Sequence, residues 1–213
     1  MISSRLTGGF LYERNILNMD SKRLEEQLGF ALEIDKEKNI FRQTYISDLI
    51  RKENDAEHAW HMAVMAYLLK EYSNEDIDIA RTMIMCLIHD IVEIDAGDTF
   101  AYDDKGKETQ KEREEKAADR IFGLLPDDQR DELRAIFEEF EAQETPEARF
   151  ARAMDNLQPL MLNDSNNGYS WKEHGVRAEQ AMKRQEGTKA GSEILYRKCV
   201  ELIDKNKEAG NLL

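Results

Sequence analysis

Met83-Ile84-Met85-Cys86-Leu87-Ile88-His89-Asp90-Ile91-Val92-Glu93 is an apolar helical run that ends in two adjacent side chains with strong affinity for metals. With Ile77, Ile79 and Ala80 upstream, apolar residues cover the helix nearly all round, which suggests burial at the protein centre. A helix in that position is a rigid platform, and packing alone rarely places His beside Asp at its end. The spacings of three and four residues put Glu93 on the face shared by His89 and Asp90. Gly97 then breaks the pattern and leaves Asp98 in a turn.

An isolated His-Asp pair is common by chance, so its company decides its weight. Upstream, Asn54 can cap a helix and Glu57, three residues on, completes a capping box, which puts His58 in the first turns. Capping is also the plainer explanation of Glu57. Trp60, Met62, Val64, Met65, Leu68 and Leu69 are expected to form the buried face of that helix, with His61 a packed or supporting histidine. Further upstream, Leu24, Leu28, Phe30, Ala31 and Ile34 recur at helical spacing, and a short helix is expected around Ile40 to Ile50, carrying Arg42. Downstream, Phe100 to Gly106 reads as a polar loop, Lys107 to Leu125 as a charged amphipathic helix and Asp127 to Ala142 as another. Pro146 opens the helix that carries Asp155, Asn163 to Ser170 is turn-forming, and a last helix runs from Trp171 toward Lys207 with a break near Gly187. Ser73-Asn74-Glu75 is read as the start of the helix that leads into His89, and His174 as part of a loop-helix junction.

A 213-residue chain with 41% hydrophobic residues can bury one substantial core, and no Gly/Pro/Ser-rich linker divides it. Three prolines, abundant Glu, Lys, Leu, Ala and Met, and no strictly alternating stretch give an all-α expectation. One domain over residues 19–213 follows, with residues 1–18 a disordered arm or the product of an upstream start. The net charge of −14 repels polyanions such as DNA or RNA over most of the surface, while leaving a monomeric nucleotide at one metal permissible. Cys86 and Cys199 sit singly in apolar helical patterns, as buried thiols of a reducing compartment do. With no apolar run near the roughly 18 residues of a membrane span and no signal-peptide core at the start, a cytoplasmic protein is expected.

The order His58, His89-Asp90, Asp155 resembles that of the HD-domain superfamily of metal-dependent phosphohydrolases, and the resemblance covers about residues 24–183. Arg42-Gln43-Thr44, Glu53 to Trp60 and His89 to Asp98 are similar to the branch that holds the 5′-deoxynucleotidases. The resemblance implies a single helical bundle of about seven or eight helices and one divalent metal ion held by His58, His89, Asp90 and Asp155. Two imidazoles and two carboxylates suit Mn, Fe, Co, Zn or Ni, with Mg also admitted, and disfavour an all-oxygen Ca²⁺ cage. In that branch, carboxylates matching Glu93 and Asp98 serve the nucleophile, and an arginine matching Arg42 contacts the substrate. One departure matters for sugar choice: the branch member that prefers 2′-deoxy sugars has tryptophan where this chain has Gln43.

Four histidines in the whole chain are too few for the second, histidine-rich metal site of HD-type cyclic-dinucleotide phosphodiesterases. The Glu-Asp pair of the (p)ppGpp hydrolases is replaced by Glu93-Ile94. The expected function is therefore release of phosphate from nucleoside 5′-monophosphates. A phosphatase of another small metabolite and a catalytically silent nucleotide-binding module are the competing readings. Amphipathic helices beyond those one core needs are compatible with a homodimer.

Overall fold

A computed structural model describes residues 6–213, with side chains from residue 20 onward, Asp104 excepted. The expected arm over residues 1–18 thus lies, for residues 1–5 and for the side chains of residues 6–18, outside the described residues. The backbone from Leu6 is already helical. The chain runs through α1 (Leu6–Glu33), a 3-10 turn (Ile34–Asn39), β1 (Phe41–Tyr45), β2 (Lys52–Asn54), α2 (Asp55–Leu69) and a second 3-10 turn (Lys70–Tyr72). There follow α3 (Ile79–Ile88), α4 (Glu93–Ala96), α5 (Asp104–Phe122), α6 (Asp127–Ala142), α7 (Pro146–Ser165), α8 (Tyr169–His174), α9 (Ala178–Arg184), α10 (Glu186–Gly191) and α11 (Glu193–Glu208). The fold is all-α with one small hairpin, and seven of the described helices are ten residues or longer.

Local chemistry sets the boundaries. Asn54 and Glu57 form the capping box that opens α2. α3 begins later than the Ser73 expected, because the Asp78 carboxylate accepts from the N–H groups of Ala80 and Arg81 and so fixes the first turn. Thr145 caps α7 with Pro146 just inside it, and α6 ends at Gln143 in the left-handed region, φ 54°. The last helix, expected from Trp171 toward Lys207 with a break near Gly187, is four segments, interrupted at Gly175 (φ 61°), at Gln185 close to the expected break, and at Ser192.

The helix expected around Ile40 to Ile50 is instead an antiparallel hairpin that pairs Phe41 with Asn54 and Tyr45 with Lys52. Phe41, Thr44 and Tyr45 favour extended backbone. The turn is closed by Leu49 at φ 62° and by the Asp48 carboxylate, which accepts from the Ile50 N–H.

Packing also departs from the expected pattern. The buried stripe of α2 is Ala59, Met62, Ala63 and Ala66, with Met65 beside it, whereas Trp60, Val64 and Leu68, expected inside, are exposed, as is Tyr67. Small residues let α2 lie close against α3 and α7. On α3, Thr82, Met85, Cys86 and Ile88 are buried while Ile84 and Leu87 face outward. The central helix is α7, which packs against α2, α3, α6, α10 and α11. It buries Phe150, Met154 and Leu157 together with Asp155, Asn156, Gln158 and Asn163. Cys86 and Cys199 are buried free thiols, and no helix among the described residues is long and apolar enough to cross a membrane.

Candidate metal centre

The packing of α2, α3 and α7 brings His58, His89 and Asp155 together, with one ligand atom from each within 4.8 Å of the others. His58 is fully buried one turn into α2. Its Nδ1 lies 2.9 Å from Gln158 Oε1 on α7. The Gln158 amide nitrogen donates to Glu53 Oε1 at 2.6 Å, so its carbonyl must face the imidazole and accept from Nδ1–H. That tautomer leaves the Nε2 lone pair pointing inward, 3.3 Å from Asp155 Oδ1.

His89 follows the last residue of α3 and repeats the arrangement. Its Nδ1–H donates to the Cys86 carbonyl at 2.9 Å. Its Nε2 lies 3.0 Å from Asp90 Oδ2 but is buried with no hydrogen-bond partner. Asp90 Oδ2 is also 4.0 Å from His58 Nε2. Two imidazoles thus have their outer nitrogens anchored and their inner lone pairs converging beside carboxylates, the arrangement in which histidines bind metal. A cation there would satisfy the orphaned His89 nitrogen, so the donor set fits a divalent ion.

The charges of His58 and of the two aspartates agree with that reading, whereas beside Asp90 the cationic form of His89 is favoured. Burial, followed by the positive Arg42, pushes His58 down to about 4, which keeps its lone pair available at neutral pH. Although burial opposes it, His89 is raised by the Asp90 charge. Burial likewise opposes the ionised forms of Asp90 and Asp155. Both nevertheless sit below the ordinary carboxylate range, Asp90 through His89 and Arg42, and Asp155 through Arg184, His58 and Arg152.

Beside this set lies a second group, Asp55, Asp90 and Glu93, again with ligand atoms within 4.8 Å of one another. Burial and the charges of Asp90 and Asp55 raise Glu93 well above its usual value. Burial followed by Asp90 brings Asp55 to about 7. Asp98 is raised by burial, with Arg42 pulling the other way and Asp90 adding to the rise. Glu93, Asp98, Asp90, Asp155 and Arg42 line one cavity. All seven residues proposed as site residues from the sequence therefore lie at one place, with the buried His58 and His89 set against Asp90 and Asp155.

Arg42 is no surface arginine. From β1 its Nη1 donates to Asp90 Oδ2 at 2.6 Å and to Asp55 Oδ1 at 3.1 Å. Gln43 accepts from Lys52 Nζ at 2.6 Å and also borders the cavity. Glu57 caps α2 and pairs with Arg51, away from the centre. His61 accepts from the Gln158 amide at 3.1 Å and stands behind His58. The His174 ring packs on Phe100, with centroids 4.6 Å apart.

Glu53, Asp55, Gln158, Arg152 and Arg184 were not singled out in the sequence. Three had a usable signal, because Asp55 stands three residues before His58, and Arg152 and Gln158 three before and three after Asp155, within one helical turn. Arg152, three residues before Asp155, donates to its Oδ2 at 2.9 Å and to Glu141 at 3.1 Å, and its guanidinium lies 4.2 Å over the Phe140 ring. Arg184, at the end of α9, reaches Asp155 Oδ1 at 3.5 Å with no sequence pattern to announce it.

Residues 34–195 match the HD-domain family model. The chain belongs to that family. It is 35% identical to human 5′-deoxynucleotidase HDDC2 over 111 residues, 52% of this chain and 53% of the human protein, so the match spans about half of that relative. The Bos taurus counterpart is 30% identical over 148 residues, 68% of this chain and 70% of that protein. Among solved structures, a predicted metal-dependent phosphohydrolase from Magnetospirillum magnetotacticum MS-1 superposes with a TM-score of 0.86 at 50% identity, covering 90% of this chain and 96% of that one. A conserved hypothetical protein from Pyrococcus furiosus shares the fold at a TM-score of 0.57 and 21% identity, over 85% of this chain and 99% of that one.

Proposed function

We propose that the chain is a metal-dependent phosphomonoesterase that releases inorganic phosphate from nucleoside or deoxynucleoside 5′-monophosphates. In this reading His58, His89, Asp90 and Asp155 hold one divalent ion, of Mn, Co, Fe, Zn, Ni or Mg. An ion so held supplies Lewis acidity and a water acidic enough to attack phosphorus near neutral pH. The observation that carries the reading is the pair of anchored imidazoles whose free lone pairs meet Asp90 and Asp155 at the floor of a cavity that Glu93, Asp98 and Arg42 also line. The similarity to 5′-deoxynucleotidases supports the substrate class.

Within that cavity Glu93 takes the proton of the attacking water and Asp98 supplies one to the departing 5′-oxygen as the phosphorus–oxygen bond breaks. Arg42, fixed by Asp55 and Asp90, steadies the incoming phosphate. The buried free thiols support a cytoplasmic setting. Exposed Leu24, Leu28 and Leu32 on α1 and Trp60, Tyr67 and Leu68 on α2 supply apolar surface consistent with a homodimer.

The deciding experiment measures phosphate release from a panel of 5′-ribo- and 5′-deoxyribonucleoside monophosphates, using chelated protein resupplied with Mn²⁺, Co²⁺, Mg²⁺ or Zn²⁺ in turn. Metal-dependent release is expected, and the ratio of the two sugar series reports the effect of Gln43. No release with any metal would overturn the nucleotidase reading in favour of another phosphorylated metabolite or a silent nucleotide-binding module.

A further inference from the structure

Three arginines line the cavity, and they differ in how far carboxylates already claim them. Arg42 stands between Asp55 and Asp90, at 3.1 and 2.6 Å. Arg152 is held between Asp155 and Glu141 and laid over Phe140. In both cases two carboxylates meet one guanidinium, so neither arginine brings surplus positive charge. Arg184 is different. Its one side-chain hydrogen bond or ion pair among the described residues is the 3.5 Å approach of Nη2 to Asp155 Oδ1, at the limit of a hydrogen bond, and beyond that its charge acts on Asp98. A guanidinium carries five N–H donors in a planar fork, so most of Arg184 is uncommitted while it faces the cavity.

Its position gives that spare capacity a use. Asp155 Oδ1 is the oxygen that faces His58 Nε2 at 3.3 Å, so the Arg184 fork borders the space on which the converging ligand atoms point. We infer that Arg184 is a substrate-binding residue whose guanidinium grips the non-bridging oxygens of the phosphoryl group, while Arg152 is a positioning residue that fixes Asp155. This deepens the phosphomonoesterase reading and rests on it. The division of labour follows from geometry: Arg152 comes from the same helix as Asp155, three residues away, whereas Arg184 reaches in from α9. A planar fork matches two phosphate oxygens at once, which a lysine cannot do.

The test is calorimetric titration of inorganic phosphate into the full-length protein loaded with Mn²⁺, with the Mn²⁺ affinity of each variant measured separately. Arg184→Gln is expected to weaken phosphate binding about 10- to 100-fold, the range for losing a charge-assisted hydrogen bond, with Mn²⁺ affinity unchanged. Arg184→Lys should fall between Arg184→Gln and the parent, and it carries the test should the glutamine variant fail to fold. Arg152→Gln should show the opposite pattern and lose Mn²⁺ affinity. Phosphate affinity of Arg184→Gln or Arg184→Lys equal to the parent's would overturn the inference. So would a loss of Mn²⁺ in Arg184→Gln matching that of Arg152→Gln, because Arg184 would then merely support Asp155. If phosphate binding depends on Arg184 but no nucleotide is hydrolysed, the inference stands and the nucleotidase reading fails.

Discussion

His58, His89 and Asp155 project from α2, the end of α3 and the central α7, three elements packed on one another in the core. Arg42, Asp98 and Arg184, which line the same cavity, stand on a five-residue strand, in the turn after Gly97 and on the last residue of a seven-residue helix. The core side is over-determined, since each imidazole is locked by its own acceptor, Gln158 for one and the Cys86 carbonyl for the other. In the second group, short elements and fewer contacts hold the side chains. Substitutions in the core should therefore cost metal and stability together, while substitutions in the second group should alter substrate handling and leave the metal in place.

The largest effect is expected for Asp155→Ala. Removing this carboxylate takes away a proposed ligand and leaves Arg152 and Arg184 without the acceptor they share. Bound metal and activity should fall together, the latter by about 10³-fold or more, checked by elemental analysis alongside phosphate release. A metal-free variant with full activity would sink the ligand assignment. Glu93→Gln comes next and separates the two groups. It should retain the ion and lose about 10²- to 10⁴-fold in kcat, the range for a missing general base. Loss of the ion instead would move Glu93 to the metal side and make the Asp55, Asp90 and Glu93 group part of the cation site.

A smaller effect is expected behind the ligands. Gln158→Met keeps the length of the side chain but gives His58 no acceptor and leaves Glu53 unpartnered in a buried place. Metal affinity should drop about 10- to 100-fold, read by titration against a chelating indicator. Unchanged affinity would mean that packing alone orients His58.

Which parts could be read from the chain follows the same division. The meeting of His58 with His89-Asp90 was legible because an apolar helix that ends in His-Asp, and a capped helix start four residues before His58, are strong local patterns. The boundaries of α6 and α7 were legible from Pro126-Asp127 and Thr145-Pro146 for the same reason. The hairpin was not, since Ile46, Leu49 and Ile50 stand at helical spacing, while its pairing depends on Lys52 to Asn54, which a single stretch does not display. On α2, Met62 and Met65 are buried as expected, but the rest of the face was misread because alanines form it and Trp60, Val64 and Leu68 lie outside. The central place of α7 was hidden by its Arg, Asp, Asn and Gln, whose burial makes sense only once their partners are placed. Arg184 lies 29 residues from Asp155, and nothing local in the sequence links them.

The last prediction concerns Glu37, in the 3-10 turn that leads into the hairpin. It is buried, its Oε1 has no hydrogen-bond partner, and burial followed by the charge of Asp90 pushes it up to about 8. An unfolded glutamate titrates near 4.3. Between those values the folded protein keeps a proton that the unfolded chain releases, so this group makes stability fall as pH rises through the window. Glu37→Gln cannot ionise. The variant should match the parent near pH 4 to 5 and exceed it by on the order of 1–3 kcal/mol above pH 8, a gain of several degrees in Tm for a domain of this size. Thermal melts of chelated protein across that pH range are the check, and a difference that stays flat with pH would refute the assignment. Repeating the melts with Mn²⁺ bound sharpens the contrast between the two groups. Asp90 is the second cause of the shift, and a divalent ion beside it would offset its charge, so the pH slope of the difference should shrink once the ion is in place. A slope untouched by the ion would mean that burial alone holds the Glu37 proton and that the hairpin side does not sense the metal side through Asp90.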